Sequence, residues 1–251
     1  MIRVYLARIK KQLLKQVYRI YDYFADTEYY YEYTHFVNGF ENPNYRFLPS
    51  EIGFIHLPKT AGTSFAKLLA ADSQNRFTLL RIHRPVSPHC PPDKFRYITI
   101  MRDPVERVWS LYRMVLRYPK KYPYWKHAVR SLELFIQKNR AARNLVCRYL
   151  SGEMDPEPTM ETLAQAQANL QQFYAVLDFA NFAEEASAFL HGHQIEHAAL
   201  PHERKASYAA PSAAERAIIE KYNQLDIKLY ERWRIEQLQI KSSTGLDNEV
   251  A

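Results

Sequence analysis

Residues 54–65 read FIHLPKTAGTSF. A short apolar run meets Pro58 and Lys59, a single glycine follows at position 62, and Thr63 and Ser64 open the helical pattern SFAKLLAA. A strand of the buried type that enters a helix through a tight polar loop is an anion-binding junction. The loop amides and the helix N-terminus point at the ligand, and hydroxyls add further donors. Gly62 lets the backbone come close. The loop is nevertheless not that of a nucleotide triphosphatase, in which the lysine follows the last glycine of G-x-x-x-x-G-K-[ST]. Here Lys59 precedes Gly62, so it meets the anion from the other side. That position suits a bridging oxygen on a leaving group better than a terminal phosphate.

The same alternation continues outward from this junction. GFIHL (53–57), RFTLLRI (76–82), FRYITIM (95–101) and FYAVLDF (173–179) read as strands. Helices are expected after the first, from Pro104 after the third, and through EEASAFL after the fourth, with one long helix over 212–238 at the end. Pro104 suits a first helical position and Asp103 a capping one. Strands alternating with helices predict an α/β protein: a P-loop-like three-layer fold with a central, mostly parallel sheet flanked by helices. The expected organisation is a basic amphipathic helix and tyrosine-rich segment over 1–50, one α/β domain over 51–238 and a polar tail over 239–251.

At 251 residues and 47% hydrophobic, the chain can bury one full core. A net charge of +7 fits nucleic acid, anionic membrane, polyanionic glycan or a multiply phosphorylated cofactor alike. Cys90 and Cys147 form neither a disulfide framework nor a metal-spaced cluster, so no metal is expected. The first segment spaces Ile2, Leu6, Ile9, Leu13, Val17, Ile20 and Phe24 at helical intervals and is rich in lysine and arginine. Such a helix can pack on the domain or make peripheral contact with an anionic membrane. The chain contains no apolar run long enough to span a bilayer.

A second stretch, YITIMRDPVERVWSLYRM (97–114), places Arg102 at a strand end and Ser110 two turns into the following helix, where the two can grip one phosphate. Together, PKTAGTS and RDPVERVWSLY resemble the paired cofactor signatures of the sulfotransferases that use 3′-phosphoadenosine 5′-phosphosulfate (PAPS). NLVCRYLSG (144–152) and NQLDIKLYERW (223–233) are similar to further elements of the carbohydrate-type branch that includes heparan sulfate 2-O-sulfotransferase and bacterial relatives. The resemblance covers about residues 52–233. It implies that Lys59, Thr60, Ala61, Gly62, Thr63 and Ser64 hold the 5′-phosphosulfate end of PAPS. Arg102 and Ser110 would hold its 3′-phosphate, and PAP would leave without help from a metal.

Sulfuryl transfer to an alcohol needs a group that takes the hydroxyl proton, and histidine titrates near neutrality. His83, just past the second expected strand in LLRIHRPVSPH, is the first candidate, helped by the branch's His-x-Pro-like element. His89 is the second, and His56 is read as structural. Arg84 and Arg148 are candidate substrate contacts, and Arg204 lies in a basic late loop that can close over the nucleotide. The acceptor is expected to be a glycan or glycolipid hydroxyl, with no nucleic acid partner, in the cytoplasm. A kinase-like P-loop phosphotransferase and a basic membrane- or nucleic-acid-binding module are the alternatives.

Overall fold

The computed structural model describes residues 51–70, 78–82, 85–88, 90–118, 122, 124–153, 157–195 and 209–244. The N-terminal segment 1–50, with its expected basic helix, lies outside them. Four strands make one sheet: β1 (Glu51–Ile55), β2 (Thr78–Ile82), β3 (Tyr97–Met101) and β4 (Ala175–Asp178), in the order β2-β1-β3-β4. Every described strand pair is parallel. The expectation of a mostly parallel sheet therefore holds, with β1 ending at Ile55 so that His56 and Leu57 already leave the ladder.

Side chains of β3 alternate between two cores. Tyr97 and Met101 point into one, Ile98 and Ile100 into the other, and Ile52 and Phe54 of β1 join the second. Both faces of the sheet are thus covered, as parallel strands require. Each fully buried Ile or Phe contributes about 1.5–3 kcal/mol relative to exposure. On the second face lie α1 (Gly62–Ala70) and α7 (Phe182–Gly192), through Phe65, Ala186 and Leu190. The first face carries α2 (Pro104–Arg117), α3 (Trp125–Ala128), α4 (Leu132–Lys138), α5 (Leu145–Ser151), α6 (Met160–Leu170), α8 (Ala213–Tyr222) and α9 (Gln224–Thr244). No helix among the described residues is long and apolar enough to cross a membrane.

Two expectations change. The single helix over 212–238 is two helices, because Asn223 leaves helical geometry and turns its buried carboxamide to other partners. Its Nδ2 donates to the Ala142 and Ile219 carbonyls, and its Oδ1 accepts from the Asn144 amide. The last helix then runs on to Thr244, into the stretch expected to be polar tail.

The sheet order fixes where a ligand belongs. From β1 the chain moves outward to β2, then crosses back over β1 to β3 on its other side. The crevice beyond the carboxyl ends of β1 and β3 is the switch point, the place where open α/β sheets bind ligands.

Candidate functional site

Both motif-bearing loops, 57–62 after β1 and 102–103 after β3, open onto that switch point. The first is held in an unusual shape. Lys59 and Ala61 adopt φ of 71° and 60°, left-handed values at non-glycine residues, each costing about 1–3 kcal/mol and maintained only where the surroundings over-determine them. Thr60 between them is buried, its hydroxyl donating to the Leu57 carbonyl at 2.9 Å. The Ser64 and Phe65 amides close onto the Ala61 carbonyl and start α1. The amides of Thr60, Ala61 and Gly62 have no acceptor among the described residues. Three consecutive N–H groups without an acceptor among the described residues, on a backbone of alternating hand, have the pattern of an anion-binding nest.

The glycine is required for a reason the sequence does not show. A Cβ at position 62 would lie 2.0 Å from Cδ2 of His56. That imidazole is buried under the loop and stacks on Phe54 with centroids 5.4 Å apart. His56 is therefore a floor for the loop, in keeping with its structural reading. Helix α1 also carries no acidic residue in its first turn. Among the described helices of eight or more residues, the others all do. An N-terminus free of carboxylates leaves its positive dipole end to an incoming anion.

Arg102 joins the two loops. Its Nη1 donates to the Lys59 carbonyl at 2.9 Å, its Nη2 reaches Glu106 at 3.4 Å, and its Cζ lies 4.1 Å from the centre of the Phe179 ring. Its buried Nε has no hydrogen-bond partner among the described residues, and desolvation holds the guanidinium below the ordinary arginine value. Asp103 caps α2 by accepting from the Glu106 amide at 2.9 Å, and Pro104 takes the first turn. Glu106, Ser110 and Met114 succeed one another at one-turn intervals, which places them on one side of α2. That side meets the loop, because Lys59 Nζ lies 3.6 Å from Met114 Sδ. Lys59, Arg102 and the Ser110-bearing face of α2 are thus brought together. Thr63 is exposed and Ser64 half-buried at the start of α1.

Arg148 is placed differently from the substrate contact expected of it. It is 1% exposed and pairs with Glu157 at 2.5 Å, and the same carboxylate holds Arg143 at 3.1 Å. Its motif is part of an internal joint. Asn144, at φ 42°, accepts with Oδ1 from the Leu225 and Asp226 amides that begin α9. In return the buried Asp226 carboxylate accepts from the Val146 and Cys147 amides that begin α5, and faces Arg107 of α2 at 3.7 Å. Each motif caps the other's helix.

His83, His89, Arg84 and Arg204 lie outside the described residues. The chain just after His83 and Arg84 is anchored: the Val86 amide donates to the Tyr149 carbonyl at 2.8 Å. Gly152, at φ 90°, lies so close that a Cβ would be 2.8 Å from the Val86 carbonyl oxygen. The 144–152 motif therefore holds the chain at Val86.

Phe179 and Glu106 belong to the site and were not expected there. Phe179 was legible only as an aromatic at the carboxyl end of a strand, the same edge as the other two loops. No protein-family model matches the chain, and no curated protein matches its sequence.

Proposed function

We propose that the protein is a PAPS-dependent O-sulfotransferase acting on a hydroxyl acceptor of carbohydrate type. The observation that carries the reading is the unengaged amide set of Thr60, Ala61 and Gly62, lying beside Lys59 and tied to Arg102 at the switch point. The donor set fits a ligand with two separate anionic ends: backbone amides and Lys59 for one, a guanidinium and a helix hydroxyl for the other. The carbohydrate class rests on the resemblance of the two capping motifs, 144–152 and 223–233.

PAPS, when bound, supplies an activated sulfuryl group with PAP as the leaving group. The loop amides and the Thr63 and Ser64 hydroxyls would hold its 5′ end, and Lys59 would balance the charge left on the departing oxygen. Arg102 and Ser110 would take the 3′-phosphate, with the guanidinium contributing paired donors. His83 would accept the proton of the acceptor hydroxyl, with His89 as the substitute, and Arg84 would contact the acceptor. Arg148 acts on this reading through Glu157 and the joint rather than by touching the acceptor.

The test is calorimetric titration with PAP alongside ADP, which lacks the 3′-phosphate. Tight PAP binding with little ADP binding is the expected result, followed by PAPS-dependent sulfation in a glycan acceptor screen. Equal affinities would return the reading to a kinase-like phosphotransferase. Binding of neither would point to a basic binding module.

A further inference from the structure

We infer that Phe179 is a positioning residue for the anion contact of Arg102, and that Glu106 is the internal counter-ion an incoming phosphate displaces. The inference rests on the reading of Arg102 as a phosphate ligand.

A guanidinium carries five N–H donors in a rigid plane, so its usefulness to a phosphate depends on where that plane points. Two contacts orient Arg102. The Lys59 carbonyl takes one Nη1 proton at 2.9 Å, and the Phe179 ring lies against the guanidinium at 4.1 Å. The ring is itself fixed, because Phe179 extends the β3–β4 ladder: its amide donates to the Met101 carbonyl at 2.8 Å, immediately before Arg102. On one side Asp178 is tied by its carboxylate to Arg234 at 2.6 Å and to the Ala180 amide at 3.0 Å. The aromatic platform is thus part of the sheet, not of a loose loop.

Glu106 contributes little to that orientation. Its 3.4 Å contact with Nη2 is long for a charge-assisted hydrogen bond, which prefers about 2.7–2.9 Å. Its side chain is 46% exposed, whereas that of Arg102 is 16% exposed. A half-exposed carboxylate at long range neutralises a desolvated cation without holding it in place. The Nη2 contact with Glu106 is thus the weaker of the two polar contacts this guanidinium makes. A phosphate with more charge and better geometry would take the Nη2 contact from Glu106.

The experiment compares PAP with 5′-AMP, which differs by the 3′-phosphate alone, on the full chain. In Phe179→Leu, affinity for PAP is expected to fall about tenfold while affinity for 5′-AMP changes by less than about twofold. Phe179→Tyr keeps a π face and is expected to retain the wild-type preference. Glu106→Gln is expected to bind PAP several-fold more tightly with 5′-AMP unchanged, an effect of the opposite sign. Equal losses for both ligands in Phe179→Leu, or loss of the preference in Phe179→Tyr, would overturn the positioning role. Weaker or unchanged PAP binding in Glu106→Gln would overturn the counter-ion role. If the wild type binds no PAP, the reading of Arg102 itself fails; if it binds and only these variants disagree, this inference alone fails. Should Phe179→Leu not fold, the tyrosine and glutamine variants still decide.

Discussion

At the joint between α5 and α9, polar groups are engaged reciprocally. Asn144 and Asp226 cap each other's helices, Asn223 satisfies two carbonyls and one amide, and Asp226 faces the buried Arg107. In the 57–62 loop the reverse holds: two residues sit at left-handed φ, and three consecutive amides have no acceptor among the described residues. Both regions carry motifs of the same apparent kind. Among the described residues one has its polar groups engaged and the other leaves three amides without an acceptor. Hydrogen-bond accounting, more than membership of a motif, separates a stretch that builds the fold from one that, on the proposed reading, takes a ligand.

The sharpest way to break this contrast is to remove Asp226. Asp226→Ala removes the carboxylate facing the buried Arg107 and strands the Val146 and Cys147 amides. The expected cost is about 3–5 kcal/mol of folding free energy, read by urea unfolding. A cost under about 1 kcal/mol would show that the joint is not structural. Lys59→Ala is the opposite case. On the proposed reading it would lower the sulfation rate by about 10²–10³-fold while shifting stability by less than about 0.5 kcal/mol. A comparable loss of stability would place Lys59 with the joint instead of the loop.

What the sequence makes legible follows the same division. Locally determined features are readable: the apolar strand runs, the Asp103–Pro104 start of α2, and a strand–loop–helix junction at 54–65. The break at Asn223 is not, because YNQLD contains neither Gly nor Pro and its periodicity continues. What ends α8 is the partner Asn144, remote in sequence. The short helices between Trp125 and Ser151 are hidden for a similar reason, being packed pieces too brief to show a period. Arg148 has the residue type of a surface ligand, and only the proximity of Glu157 reveals that its charge is already matched. Phe179 becomes part of the site only once β4 is seen to lie beside β3.

The smallest effect tests whether the strain in the loop is functional. Ala61 sits at φ 60°, where a Cβ is disfavoured by about 1–2 kcal/mol and glycine is not. Glycine also gives the unfolded chain more freedom, which offsets part of that relief. Ala61→Gly is therefore expected to stabilise the protein by up to about 1 kcal/mol. The same change removes the backbone constraint that holds residues 60–62 in their present shape. On the proposed reading, PAP affinity would then fall by a few-fold despite the higher stability, because the loop must be ordered at the moment of binding. Stability from thermal unfolding and affinity from calorimetry would move in opposite directions. If both rose together, the left-handed turn would be a tolerated imperfection, and the distinction between a finished joint and a waiting loop would rest on the unengaged amides alone.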